Sequence, residues 1–262
     1  MIIKISIKMR FAANLSTLCS DIPKLTDRFV HLMTRKDYSF KWVECQNPYS
    51  VPVAEWQALM KQHSPVSWVL INSPHLFDVW TDSSRFPTRE EYKNLVLDKV
   101  IEYATGLECK KVHLVMTDVQ DDSQLPVIED LLSYGIQVLR PLGITCLLEP
   151  LATRPRYYLR SYEKAVQLAT DPAMQEGAKV MLDTFHLQML HGNLTANIDK
   201  LLPNTGHVQV SQAPLRNSPF AAGEINYAYF LKRLSSYDGV IGLEYSSSSS
   251  ESFSWLQDFD SL

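Results

Sequence analysis

The sequence predicts an α/β fold, a single (β/α)8 TIM barrel, from three observations. Short apolar, β-rich segments alternate with longer helical segments, eight times in 262 residues. Continuously apolar strands separated by helices are typical of a parallel sheet buried on both faces. A length near 250 residues, undivided by a Gly- or Pro-rich linker, suits one barrel. The rival doubly wound sheet would usually have a Gly-rich turn after its first strand, and NLSTL is not one.

The elements follow in order from runs rich in β-branched, aromatic and aliphatic residues, bounded by Gly, Pro, Asn or Asp. The predicted strands are 10–16, 40–46, 67–74, 110–118, 145–150, 178–184, 206–212 and 239–245. The helical segments between them include one ending near residue 36, then 52–63, 88–106, 125–142, 161–170 and 227–236. This order predicts one layer of helices around one parallel sheet.

The domain prediction is an N-terminal extension, 1–8, followed by a single barrel domain, 9–262. The apolar patch at the start is interrupted by Lys4, Lys8 and Arg10, and no cleavage site follows it. Met9 is an alternative start of translation. No run approaches the roughly 18 apolar residues of a membrane span.

Composition excludes several classes of partner. The net charge is −4 and no long basic run occurs, which argues against nucleic acid and anionic membranes as partners. The four cysteines lack CxxC spacing, and three lie in or beside apolar runs. They predict buried thiols in a reducing, cytoplasmic location.

Polar side chains end several predicted strands, where the chemistry of such a barrel is located. Strands five, six and eight end at Glu149, Asp183 and Glu244, and strand seven carries His207 and Gln209 on one face. Taken singly, Asp183 is more often a helix N-cap and His207 a core histidine. At one mouth of the barrel, however, three carboxylates beside an amide would be costly to bury, because the carboxylates repel one another unless a cation lies between them. They predict a hard divalent cation, Mg²⁺ or Mn²⁺. The sequence has no Cys/His cluster, which argues against structural zinc.

Several segments, in order, resemble the hydroxypyruvate isomerase family within the xylose-isomerase-like barrels. They are FAANLSTL, LLEP, LDTFHLQMLHGNL, GHVQV, GEINY and GLEY, and the resemblance covers nearly the whole chain from Met9 onward. It implies four metal ligands: Glu149, Asp183, Gln209 and Glu244. It also implies that Glu149 and Glu244 transfer protons. It further implies that His186 and Arg216 contact the substrate, with His207 beside them.

Four loops depart from the family pattern. Ala152 follows strand five where the family usually has Asn, and Leu215 and Ser218 replace a glycine and an acid beside Arg216. HLFD follows NSP where a Gly-Asp pair is typical, and a serine run follows GLEY. None of these changes affects the four implied ligands, but all lie in loops that shape the substrate pocket.

The expected activity is a metal-dependent isomerisation of hydroxypyruvate and 2-hydroxy-3-oxopropanoate (tartronate semialdehyde) through an enediolate. Two glutamates would remove and return the proton, and Arg216 would pair with the substrate carboxylate. His186 would bind a substrate oxygen or orient Asp183. The alternatives are an isomerase or epimerase of a larger ketose, and a degenerate barrel that serves as a binding protein. The sequence does not determine the oligomeric state, and a homo-oligomer is one of the alternatives.

Overall fold

The computed structural model describes residues 9–82, 84–174 and 177–259. Eight parallel strands form a closed barrel in which each strand pairs with the next and the eighth with the first. The strands are β1 Arg10–Asn14, β2 Trp42–Cys45, β3 Ser67–Asn72, β4 Lys111–His113, β5 Thr145–Leu148, β6 Ala178–Asp183, β7 Thr205–Val210 and β8 Val240–Leu243. The predicted TIM barrel is therefore confirmed. The proposed extension, 1–8, lies outside the described residues, and the domain division stays a prediction.

The helices form the outer layer. They are α1 Leu25–Met33, α2 Val53–Gln62, α3 Leu76–Val79, α4 Arg89–Tyr92, α5 Asp98–Gly106, α6 Leu125–Leu139, α7 Tyr162–Thr170, α8 Thr184–Leu190, α9 Leu194–Leu201 and α10 Tyr227–Arg233. The helix predicted over 88–106 begins with a capping box between Thr88 and Glu91, and a π-helical turn, Lys93–Leu97, joins α4 to α5. Among the described helices, none is long and apolar enough to cross a membrane.

The fourth strand is shorter than its sequence predicts. Residues 110–118 are apolar enough for one long strand, but β4 ends at His113. Beyond it the chain leaves the barrel and pairs with the loop after β5, through a bridge between Asp118 and Tyr157. The amide of Tyr158 also donates to the carbonyl of Thr117, at 3.2 Å. The β-like sequence is thus used to join two loops at the mouth of the barrel.

Alternation along the strands separates two hydrophobic regions. The main core lies between strands and helices and includes Cys146, Leu148 and Val180. Leu147 and Met181, one residue away from these, form a separate buried cluster with Leu70. Because successive side chains of a strand point to opposite faces, this cluster fills the interior of the barrel. The four cysteines are free and buried, as expected.

Candidate active site

A cavity of about 350 Å³ opens at the carboxyl ends of the strands. The residues that line it come from the ends of β2–β8 and the loops that follow them. They include Gln46, Asn72, His75, Phe77, His113, Glu149, Arg154, His186, Arg216 and Glu244. Four of the residues implied by sequence, Glu149, His186, Arg216 and Glu244, therefore meet in one cavity.

Glu149 and Glu244 each follow directly after a strand, β5 and β8, and both are buried. Burial, with Glu244 and Asp183 nearby, raises the pKa of Glu149 well above its usual value. Burial likewise raises the pKa of Glu244 to about 8, although Arg216 opposes the shift. Like charges crowded in a low dielectric favour either proton uptake or a cation between them.

Asp183 has two roles, one for each oxygen. It ends β6 and caps α8, because Oδ1 accepts from the amides of Phe185 and His186 at 2.6 and 3.3 Å. Oδ2 instead lies 2.9 Å from Nη2 of Arg216. The helix-capping alternative is therefore observed, and it fixes the carboxylate while leaving Oδ2 directed at the other charged groups of the site.

Gln209 is oriented by a carboxylate inside the barrel. Its Nε2 donates to Oε1 of Glu44 at 2.8 Å, while its own Oε1 is buried without a partner among the described residues. Glu44 is fully buried and also accepts from Asn14 and His207, at 2.8 and 2.7 Å. A side chain at Gly242 would lie 2.3–2.5 Å from the Glu44 carboxylate, so only glycine leaves room for it. This network makes the amide oxygen of Gln209 available as a ligand.

The tautomer of His186 follows from one hydrogen bond. Nδ1 accepts from the amide of Ala152 at 2.9 Å, and burial lowers the pKa of His186 to about 4. A neutral ring that accepts at Nδ1 carries its proton on Nε2. Nε2 lies 3.9 Å from oxygens of both Glu149 and Asp183 and has no hydrogen-bond partner in the described chain. His186 thus presents a donor to the cavity, and that nitrogen is not free to ligate a metal.

Arg216 lies on the loop after β7 in a left-handed conformation, with φ of 53°. Gln212 organises this loop: its side-chain oxygen accepts from Ile225 at 2.8 Å, and its carbonyl accepts from the amide of Arg216 at 2.8 Å. Nη2 of Arg216 lies 2.9 Å from Asp183 and 3.1 Å from Glu244. Burial opposes its charge, but these carboxylates more than offset that effect and raise its pKa.

Some residues of the site were not identified from sequence. Nδ1 of His113 lies 3.3 Å from Oε2 of Glu149, and burial lowers the pKa of this histidine to about 3. Gln46 donates to Glu244, and Arg154 lines the cavity. His113 and Gln46 lie near strand ends, a signal that was available. Three residues implied by sequence are not among the lining residues of the cavity: Asp183, Gln209 and His207, of which the last pairs with Glu44.

The donor set fits a hard divalent cation. Oε1 of Glu149 and Oε1 of Gln209 are buried acceptors without partners among the described residues. One ligand atom from each of Glu149, Asp183 and His186 lies within 4.8 Å of the others. Because Nε2 of His186 carries a proton, the carboxylate oxygens of Glu149 and Asp183 are the better metal ligands. Oxygen ligands suit Mg²⁺ or Mn²⁺.

Comparison with known proteins agrees with the fold and with an isomerase activity. The family described as a xylose isomerase-like TIM barrel matches residues 34–262. A Danio rerio protein named "Putative hydroxypyruvate isomerase" is 30% identical over 96% of this chain and 95% of its own. A Haemophilus influenzae protein named 2-oxo-tetronate isomerase is 33% identical over 90% of this chain and 93% of its own.

Solved structures give the same answer for the fold. A Brucella melitensis structure titled "AP endonuclease, family 2" superimposes with a TM-score of 0.82 and 28% identity, over 95% of this chain and 98% of that one. An L-ribulose 3-epimerase superimposes with a TM-score of 0.72 at 15% identity, over 92% of this chain and 82% of that one. The protein is an enzyme of the aldose–ketose isomerase type. With a family match across most of its length and a closed eight-stranded barrel, the chain belongs to the xylose isomerase-like TIM barrel family.

Proposed function

We propose that the enzyme interconverts hydroxypyruvate and 2-hydroxy-3-oxopropanoate. The observation that carries this proposal is the pair of buried glutamates, Glu149 and Glu244, in one cavity with Arg216 and His186. Relatives named for the isomerisation of small oxo acids, at 30–33% identity over nearly the whole chain, support the same reaction.

The metal would be held by Glu149, Asp183, Gln209 and Glu244. When bound, it would supply positive charge that stabilises negative charge on the oxygens of an enediolate. Glu149 and Glu244 would also act as the proton-transferring acids, since their carboxylates lie in the same cavity. Gln209 would offer its amide oxygen, because its NH₂ group donates to Glu44.

The proton transfer needs two groups at neighbouring carbons. One glutamate removes a proton from the hydroxymethyl carbon of hydroxypyruvate, and the other delivers a proton to the adjacent carbonyl carbon. The hydroxyl proton of the first carbon passes to the oxygen of the second, so the product is the aldehyde with no net gain or loss of atoms. His186 donates from Nε2 to a substrate oxygen and so stabilises charge that develops there. In the metal-free site, burial raises the pKa of both glutamates, so each holds a proton more readily than an exposed carboxyl does.

A longer 2-oxo acid is the second candidate substrate. The 2-oxo-tetronate isomerase relative is 33% identical, and the loops around the cavity differ from the family pattern at Ala152, Leu215 and Ser218. The same two glutamates would carry out the same proton transfer on a four-carbon acid.

The test is isomerisation of hydroxypyruvate by purified protein, after EDTA treatment and after restoration with Mg²⁺ or Mn²⁺. Glu149→Gln and Glu244→Gln are assayed beside a control, Glu55→Gln, whose side chain is exposed on α2. We expect metal-restored turnover that the first two substitutions abolish and the control retains. Turnover that needs no metal, or that survives both substitutions, would contradict the proposal. Folded, metal-loaded protein that turns over neither hydroxypyruvate nor 2-oxotetronate would overturn the proposed substrates and favour a larger ketose.

A further inference from the structure

We propose that Arg154, on the loop after β5, recognises the carboxylate of the substrate and so selects oxo acids over neutral sugars. This inference rests on the proposed function, since it names the group that distinguishes that substrate from an uncharged ketose. It also revises the role expected of Arg216, because Arg216 faces two of the implied metal ligands, whereas the partner of Arg154 is Asp118, which is not one of them.

The charges of the site show why a second cation is needed. Arg216 already faces Asp183 and Glu244 through Nη2, at 2.9 and 3.1 Å. The carboxylates of Glu149, Asp183 and Glu244, with Arg216 and one divalent cation, would balance to zero, while Glu44 and Asp118 have their own partners. A substrate carboxylate adds one further negative charge in a buried place, where an unpaired charge is costly. Among the described residues that line the cavity, Arg154 is the other arginine or lysine.

The guanidinium of Arg154 is held in one orientation. Nε and Nη2 donate to the two oxygens of Asp118 at 3.0 and 2.8 Å. The ring of Phe77 lies against its face, with the centroid 3.6 Å from Cζ. These contacts leave Nη1 as the nitrogen that Asp118 does not use. An arginine fixed on one edge and one face keeps its remaining donors in a defined plane, which suits recognition of a carboxylate.

The backbone that carries Arg154 is also fixed. Its carbonyl accepts from Nη1 of Arg160 at 2.6 Å and from the amide of Tyr157 at 3.1 Å. The bridge between Asp118 and Tyr157 connects this loop to the one that provides Asp118. Little side-chain or loop entropy would be lost when a ligand binds, so the contact is preorganised.

The experiment compares two substrates that differ in one group. Dihydroxyacetone has a hydroxymethyl group where hydroxypyruvate has its carboxylate, and both undergo the same proton transfer. For Arg154→Gln we expect kcat/KM for hydroxypyruvate to fall about 10- to 100-fold, mostly through KM, as for the loss of one hydrogen bond to a charged group. Activity with dihydroxyacetone and the affinity for Mn²⁺ should stay within about twofold. Arg154→Lys, which keeps the charge but loses the fork, should lie between wild type and Arg154→Gln.

A binding measurement separates this inference from the proposed function. Glycerate and glycerol are titrated into the Mn²⁺-loaded protein by calorimetry, for wild type and Arg154→Gln. A loss of glycerate binding, with glycerol unaffected, would support recognition by Arg154 even if the wild type failed to isomerise hydroxypyruvate. If Arg154→Gln lowered kcat/KM equally for hydroxypyruvate and dihydroxyacetone, or for neither, the inference would be overturned and the proposed function would remain intact.

Discussion

Leu147 and Met181 point into the barrel from β5 and β6, and Glu149 and Asp183 follow two residues later on the same face. The first pair packs in a small apolar cluster with Leu70, which we call the lower layer. The second pair belongs to the upper layer, Glu149, Asp183, Gln209 and Glu244. The lower layer is stabilised by burial alone, whereas the upper layer brings like charges together. The lower layer of these strands therefore stabilises the fold. Two residues further on, the same strands place like charges close together, as is common in functional sites.

The largest effect should come from neutralising a glutamate of the upper layer. We expect Glu149→Gln or Glu244→Gln to lower kcat/KM about 10²- to 10⁴-fold, the usual contribution of a positioned acid or base. In EDTA, however, each variant should unfold at the same or a higher temperature than wild type, because a buried carboxylate with a raised pKa has been replaced by a neutral isostere. Steady-state kinetics and thermal unfolding together check this. A marked loss of stability in EDTA would contradict the contrast between the layers.

The lower layer should respond in the opposite way. Leu147→Ala removes a fully buried side chain and should lower the free energy of unfolding by about 2–5 kcal/mol, through lost transfer energy and a cavity. The affinity for Mn²⁺ should stay within about threefold, because Leu147 belongs to the apolar cluster with Leu70 and Met181 and offers no ligand atom. Chemical denaturation and metal titration measure the two quantities. A large loss of metal affinity would mean that the layers are coupled.

The positions of the upper-layer residues could be predicted because each lies at or beside the end of a recognisable strand, whereas their role as metal ligands stays a prediction. Glu149, Asp183 and Glu244 could be placed at one mouth from the parallel order of the strands alone. Contacts across the barrel could not be predicted, since they depend on register and on which long side chains reach the centre. The pairing of Glu44 with Gln209 is such a contact.

Loops account for the rest of what sequence did not predict. Residues 114–118 read as a continuation of β4, and this hid both the strand end at His113 and the pairing of Asp118 with Arg154. The resemblance implied that Arg216 contacts the substrate, and this stays a prediction, but sequence could not show that its Nη2 lies within 3.1 Å of two carboxylates of the site.

A third prediction concerns Glu44, which accepts a hydrogen bond from Gln209 of the upper layer. Glu44→Ala leaves the NH₂ group of Gln209 without its acceptor and should lower the affinity for Mn²⁺ about 10- to 100-fold, as for other residues that orient a ligand. Glu44→Gln should retain most of the affinity, because its amide oxygen can still accept from Gln209. Calorimetric titration with Mn²⁺ measures the affinity of both variants. Equal affinities for the alanine variant and wild type would show that Gln209 needs no such support.

The smallest effect is a dependence of metal stabilisation on pH. The pKa of Glu244 rises from 4.5 to about 8 on burial, and that of Glu149 rises as well. A carboxyl whose pKa is raised by folding stabilises the metal-free protein fully below about 4.5, and this contribution is lost as the pH rises towards 8. Metal binding needs the same groups without their protons, so it strengthens over that range.

The difference in unfolding temperature between Mn²⁺-loaded and EDTA-treated protein should therefore grow from pH 5.5 to pH 8. Glu244→Gln should reduce both the difference and its slope, because one competing proton site is lost together with one ligand. Leu147→Ala should lower both unfolding temperatures but keep the slope, since the lower layer takes up no protons. A slope that is the same in Glu244→Gln and in wild type would place the proton competition elsewhere. The contrast between the layers would then concern stability alone.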